Sequence, residues 1–124
     1  MTIRILAIDD SRTIRTMLQK AMTEAGFECD LADDGAQGVA RFQAAPPDLV
    51  ITDINMPNLD GYGVINTIRG GEVHPRVPIL VLTTESSPHL KARAREAGAT
   101  GWIVKPFDDG DLVSIIRRVT GLEA

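Results

Sequence analysis

The residues of this sequence best suited to chemistry are the paired carboxylates Asp9-Asp10, the lone carboxylate Asp53, the hydroxyl of Thr83 and the ammonium of Lys105. Three carboxylates brought together repel one another. Their grouping makes sense when a hard divalent cation takes oxygen ligands from them, and Mg²⁺ fits best, because it combines one or two carboxylates with phosphate oxygens and retained waters. A lysine adds a point charge suited to a phosphoryl oxygen, and a threonine hydroxyl can donate to another. A nucleophilic carboxylate, a metal, a lysine and a hydroxyl together describe phosphoryl transfer onto Asp53 as an acyl phosphate.

These residues must come from different parts of the chain, and each follows a short apolar run. Leu49-Val50-Ile51-Thr52 leads to Asp53, Ile5-Leu6-Ala7-Ile8 to Asp9-Asp10, Pro78-Ile79-Leu80-Val81-Leu82 to Thr83, and Gly101-Trp102-Ile103-Val104 to Lys105. The continuous Val/Ile/Leu run before Asp53 suits an interior strand of a parallel sheet covered on both faces. A further run over 27–32, with Phe27, Cys29 and Leu31 on one side, has the alternation of a strand near a sheet edge. Between the runs lie helical patterns. Ile14, Met17, Leu18, Ala21, Met22 and Ala25 form one stripe, with Ser11 as N-cap and Gly26 as terminator.

Ala36, Val39, Ala40 and Gln43 mark a second helix, closed by Ala44-Ala45-Pro46-Pro47, and Val64, Ile65 and Ile68 a short third one. Glycine and proline make 69–76 a loop. The fourth helix has Ser87 as cap, Pro88 at its first position, and Leu90, Ala94 and Ala97 as its buried stripe. Leu112, Ile115, Ile116 and Val119 mark the fifth. Five strands alternating with five helices imply βαβ units and an α/β fold with a parallel sheet. In such a sheet all strand C-termini face one edge, so Asp9, Asp10, Asp53, Thr83 and Lys105 converge there. Singly, each has an ordinary role as a cap, a turn residue or solvated surface. Independent ordinary roles do not place all of them at the ends of four strands.

Composition narrows the function classes. The 124 residues, 44% hydrophobic, suit one domain over residues 1–124. A net charge of -4 argues against a nucleic-acid surface. The single cysteine, Cys29, forms no internal disulfide, the start of the chain lacks a signal-peptide pattern, and no apolar run is long enough for a bilayer. A soluble cytoplasmic monomer is the expectation.

Ile8-Asp9-Asp10-Ser11, Asp53-Ile54-Asn55-Met56-Pro57 with Asp60-Gly61, Leu82-Thr83-Thr84 and Lys105-Pro106-Phe107 resemble the receiver domain of two-component response regulators. The resemblance spans nearly the whole chain. Glu85 and the stretch from Lys91-Ala92-Arg93-Ala94 to Trp102-Ile103-Val104-Lys105 are similar to the stand-alone chemotaxis receivers, the CheY-like group. The resemblance implies the flavodoxin-like, doubly wound (βα)5 fold with strand order 2-1-3-4-5, the order for which CheY itself is a standard example.

It further implies that Asp53 accepts phosphate from a phosphohistidine of a sensor kinase. Asp10, Asp53 and the backbone carbonyl of Asn55 would bind Mg²⁺, with Asp9 helping through water. Lys105 would contact the phosphoryl group. Thr83 would swing toward it and draw the aromatic residue at 102 inward, Asn55, Thr84 and Glu85 would tune hydrolysis, and Pro106 would follow a cis peptide bond. Trp102 stands where Tyr or Phe is more familiar, and Thr84 where a smaller residue is usual.

The expected outcome is a phosphorylation-driven switch, not an enzyme acting on a separate substrate. Its donor would be a chemotaxis kinase and its target a flagellar motor switch component, reached through a patch of Lys91, Arg95, Trp102, Arg117 and Arg118. Arg12 and Arg15 would meet the kinase, and Cys29 and His89 would serve as packing or surface. A phosphate sink or relay is the alternative. An aspartyl phosphatase would want an acid two residues after the nucleophile, where Asn55 stands, and a flavin-binding domain would want a phosphate loop where Asp9-Asp10 would repel one.

Overall fold

The computed structural model describes residues 2–121. Its elements alternate strictly: β1 (Arg4–Ile8), α1 (Arg12–Glu24), β2 (Glu28–Ala32), α2 (Gly35–Ala44), β3 (Leu49–Thr52), α3 (Gly61–Gly70), β4 (Ile79–Thr83), α4 (Pro88–Ala97), β5 (Gly101–Val104) and α5 (Asp109–Val119). The five strands form one sheet in the order β2-β1-β3-β4-β5, parallel throughout. This is the flavodoxin-like order that the resemblance implied.

Side chains alternate across a strand, so each interior strand feeds two cores. Leu6, Ile8, Val50, Ile79 and Val81 face α2, α3 and α4, packing with Phe42, Tyr62, Val64, Ile65, Ile68 and Ala94. Ile5, Ala7, Leu49, Ile51, Leu80 and Leu82 face the other way, against Leu18, Ala21 and Met22 of α1 and Leu112 and Ile116 of α5. Helices on both faces explain why these strands read as continuous apolar runs. No helix among the described residues is long and apolar enough to cross a membrane.

Helix starts follow side-chain chemistry. The oxygens of Ser11, Asp34, Asp60 and Asp108 accept from the amides of Ile14, Gln37, Gly63 and Asp111 at 3.3, 2.7, 2.8 and 2.9 Å. Ser87 stands at the start of α4 as expected, with Pro88 in the first turn, but its side chain makes no capping bond.

The structure corrects several sequence expectations. In α1, Leu18, Ala21 and Met22 are buried but Met17 is 41% exposed, on the margin of the stripe. In α2 the expected face was out of phase: Gly35, Gly38 and Phe42 are buried and Val39 half-buried, whereas Ala36, Ala40 and Gln43 are exposed. Counting apolar side chains missed two glycines that are buried because they have none. A Cβ on Gly38 would press into the side chain of Ile8, 2.8 Å from its Cγ1, so α2 lies close on β1 at this point. Helix α3 runs through Arg69 to Gly70, beyond the expected loop boundary. In α4 only Ala94 is fully buried, with Leu90 and Ala97 half-buried. Phe27 precedes β2 and closes α1, its amide donating to the Met22 carbonyl at 2.9 Å.

At the sheet edge opposite the strand C-termini, Thr2 and Ile3 line a cleft of about 350 Å³ together with Val119 and Thr120 from the end of α5. Arg4 pairs there with Glu28 and Asp30 at 3.8 and 3.9 Å.

Candidate active site

The site residues are placed by hydrogen bonds that continue the sheet ladder past its strands. Asp9 donates its amide to the Ala32 carbonyl at 3.1 Å, Asp53 to Ile8 at 3.0 Å, and Lys105 to Thr83 at 2.8 Å. Each residue that leaves the sheet is thereby tied to the strand beside it. Lys105, rooted at the end of β5, crosses the end of β4 to reach the acids of β1 and β3. Its Nζ donates to Asp9 Oδ2 at 2.8 Å and to Asp53 Oδ2 at 2.9 Å. The second Asp53 oxygen, Oδ1, accepts from the Ile54 amide at 2.6 Å, and Asp9 Oδ1 accepts from the Ser11 amide at 2.9 Å.

Both acids are buried, Asp9 at 1% and Asp53 at 8% exposure. Burial raises the Asp9 pKa above its ordinary value, against the lowering effect of Lys105 and the Ser11 amide. For Lys105, burial alone would favour the neutral amine, but the hydrogen bonds and charges of Asp9 and Asp53 outweigh it and its pKa is raised.

Ligand oxygens of Asp9, Asp10 and Asp53 all lie within 4.8 Å of one another. Asp10 is exposed, and its carboxylate accepts no hydrogen bond from the described residues. One lysine facing three carboxylates leaves the group short of positive charge. An all-oxygen set with one free carboxylate at the rim is the donor chemistry of a hard dication such as Mg²⁺, so these residues fit the metal.

The other expected residues lie around this centre. Thr83 is buried, and its hydroxyl accepts from the Glu85 amide at 3.4 Å. Asn55 Nδ2 donates to Glu85 Oε1 at 3.4 Å, and Thr84 is exposed. The half-buried Trp102 donates its indole N–H to the Glu85 carbonyl at 3.0 Å, so Glu85 joins the segment after Asp53 to the aromatic residue of β5. The Lys105-Pro106 bond is cis, as expected.

Of the anticipated basic patch, Lys91, Arg95 and Trp102 line one groove of about 270 Å³. Arg117 does not line it: its guanidinium lies 6.0 Å from the Phe27 ring. Arg118 is exposed on α5. Arg12 is exposed, but Arg15 folds back and donates to the Asp9 carbonyl at 2.7 Å.

Sequence reasoning missed several supports. A Cβ on Gly35 would press into the Leu59 backbone and one on Gly61 into that of Asp53, so two helix starts close directly on the loop after β3. Asn58, at φ 70°, donates to Asp34 Oδ2 at 2.8 Å and ties that loop to the start of α2. The available signal was the repeated Asp-Gly pair, Asp34-Gly35 and Asp60-Gly61, each a capping acid followed by a residue that admits close backbone approach.

Arg69 and Tyr62 gave no comparable signal. Arg69 donates to the carbonyls of Gly98, Pro75 and Val77 at 2.6 to 3.0 Å. Tyr62 donates to the Leu90 carbonyl at 3.1 Å, with the Arg93 guanidinium 3.8 Å from its ring centre.

The geometry agrees with comparisons to known proteins. The chain is 34% identical over 119 residues to the response regulator MprA of Mycobacterium tuberculosis, covering 96% of this chain and 51% of that protein. It spans 24% to 51% of the length of the curated relatives it matches. A solved chemotaxis protein, CheY4 of Vibrio cholerae, is 39% identical with a TM-score of 0.91, over 96% of this chain and 99% of that one. The receiver domain of the sensor histidine kinase PA1611 of Pseudomonas aeruginosa, described with a magnesium ion coordinated in its active-site cleft, is 29% identical with a TM-score of 0.90, over 98% and 99% of the two chains. A family model described as the response regulator receiver domain matches residues 5–117. That match runs from β1 into α5 and takes in the whole acidic edge, and on this ground the chain belongs to the response regulator receiver domain family.

Proposed function

We propose that this receiver takes a phosphoryl group from a phosphohistidine of its sensor kinase onto Asp53, with Mg²⁺ held by Asp10, Asp53 and the Asn55 carbonyl and with Asp9 outside them. The observation that carries the reading is the division of labour on Asp53: Oδ1 held by the Ile54 amide and Oδ2 by Lys105. This fixes the carboxylate with its charge partly balanced. An Asp53 oxygen forms the new O–P bond as the P–N bond to the donor imidazole breaks, and the departing nitrogen keeps that electron pair. Bound Mg²⁺ would supply charge neutralisation at the phosphoryl oxygens. Lys105 shifts from the carboxylate oxygens to the incoming phosphoryl group, and the Thr83 hydroxyl turns from the Glu85 amide toward the same group. Asn55, Thr84 and Glu85 line the approach of the water that later hydrolyses the acyl phosphate.

The switch follows from the bonds of Glu85. When Thr83 turns, the Glu85 amide loses its hydroxyl partner, and the Glu85 carbonyl that holds Trp102 shifts with it. This changes the groove beside Lys91 and Arg95 and thereby the affinity for a partner. Likeness to a chemotaxis protein supports a chemotaxis pathway, and in this reading the donor is a chemotaxis kinase, the target a flagellar motor switch component, and the chain a cytoplasmic monomer. A relay or phosphate sink is the second reading, favoured by likeness to a sensor-kinase receiver.

Intact mass after incubation with acetyl phosphate and Mg²⁺ tests the chemistry. A single adduct is expected, absent in Asp53→Asn and after chelation, together with a change in Trp102 emission. An adduct persisting in Asp53→Asn would overturn the assignment. Pulldown with a motor switch peptide, using phosphorylated and unphosphorylated forms, separates the two readings.

A further inference from the structure

We propose that Arg15 is a positioning residue of the cation site, holding the Asp9 carbonyl so that Asp10 presents its carboxylate to the metal. The inference rests on reading Asp9, Asp10 and Asp53 as the Mg²⁺ site. Its starting point is a contrast between two adjacent acids. Asp9 is held at every polar atom: its amide by Ala32, its Oδ1 by the Ser11 amide, its Oδ2 by Lys105 and its carbonyl by Arg15 at 2.7 Å. Asp10 is exposed and its carboxylate accepts nothing from the described residues, yet its oxygen belongs to the cluster within 4.8 Å.

The position of Asp10 is therefore inherited from the backbone. The carbonyl of Asp9 lies in the same rigid peptide plane as the Asp10 amide, so a bond that fixes one orients the other. Arg15 is well placed to make it. Its own amide closes the first turn of α1 by donating to the Ser11 carbonyl at 3.0 Å, and helical side chains lean toward the helix N-terminus, which carries the half-buried guanidinium back over the acidic loop.

The two things an arginine does here act on Mg²⁺ affinity with opposite signs. As a positive charge beside the site it repels the dication, so deleting it would tighten binding. As the tie on the Asp9–Asp10 peptide it preorganises a ligand, so deleting it would loosen binding. Outer contacts that orient metal ligands are worth about ten- to a hundredfold in affinity, and here the tie outweighs the charge.

The test is calorimetric titration of MgCl₂ into wild type, Arg15→Met, Arg15→Lys and Asp10→Asn, with urea unfolding measured alongside. Arg15→Met is expected to bind Mg²⁺ about tenfold more weakly, and Arg15→Lys, which keeps a donor, to recover part of the loss. Equal or tighter binding in Arg15→Met overturns the proposal, even if that variant is less stable. Should Arg15→Met fail to fold, Arg15→Gln takes its place under the same criterion. Wild type that binds no Mg²⁺, or binding undiminished in Asp10→Asn, overturns the site reading itself. Binding lost in Asp10→Asn but unchanged in Arg15→Met overturns the role of Arg15 alone.

Discussion

Gly61 sits directly on the backbone of Asp53: a Cβ at position 61 would press into the Asp53 carbonyl and lie 2.8 Å from the Cα of Ile54. The first residue of α3 thus sets how the chain leaves β3, and the Gly61 amide donates to the Ile54 carbonyl at 2.8 Å. Gly61→Ala has to displace backbone, since no flexible side-chain tip is in the way. It is expected to lose about 2–4 kcal/mol in urea unfolding and to slow adduct formation at Asp53. Unchanged stability would show that α3 can shift without cost.

Removing Lys105 leaves two buried carboxylates facing each other. Lys105→Met is expected to destabilise the metal-free protein by about 3 kcal/mol near neutral pH, as for a broken buried pair, and added Mg²⁺ should restore part of it. The sign with pH follows from the raised pKa of Lys105. Its stabilising contribution is fully present below the unfolded lysine value of about 10.4 and is lost as pH rises through the higher folded value. The gap between wild type and variant in urea unfolding should therefore close only in strongly alkaline solution.

Cys29 is half-buried, and its thiol is pushed up to about 11 by burial and, secondarily, by Asp30. A raised acid pKa favours the protonated form in the folded state, so this contribution to stability is complete below the unfolded value of 9.0 and falls as pH rises toward 11. Below pH 9 the folded protein carries about a hundredfold less thiolate than the unfolded chain. Alkylation by iodoacetamide, followed by mass, should be correspondingly slow and should rise with pH until near 11. Rapid labelling of native protein at pH 7 would contradict this.

Two helical glycines should respond to alanine in opposite directions. At Gly38 the whole Ile8 side chain stands in the way, and Gly38→Ala is expected to cost about 1–3 kcal/mol despite the better helix propensity of alanine. At Gly70 nothing lies within 4 Å of the new atom, and Gly70→Ala should stabilise by about 0.5–1 kcal/mol. Thermal unfolding of the pair checks both signs.

The same glycines show what the sequence displays and what it withholds. The interior strands β1, β3 and β4 were legible because burial on both faces leaves continuous Val, Ile and Leu runs, and the candidate site was legible because parallel strands deliver Asp9, Asp53, Thr83 and Lys105 to one edge. The face of α2 was not, because Gly35 and Gly38 are buried for lack of a side chain and no count of apolar residues sees them. The direction of a long cation is equally hidden. Arg15 was expected to meet a kinase, and nothing in the sequence marked its bond to the Asp9 carbonyl; Arg69 was placed in a loop and instead joins three carbonyls across two loops. Such choices depend on which carbonyls the finished fold leaves unpaired, and that is a tertiary property.

The described chain starts and finishes on the same side of the sheet. Thr2 and Thr120 border one cleft, and a strand of five residues, roughly 17 Å, separates that floor from the edge where Asp53 stands. A dye or surface linker attached at position 2 would stand on that floor, a strand's length from the acidic edge. Tethered there, the molecule keeps its acidic edge facing outward.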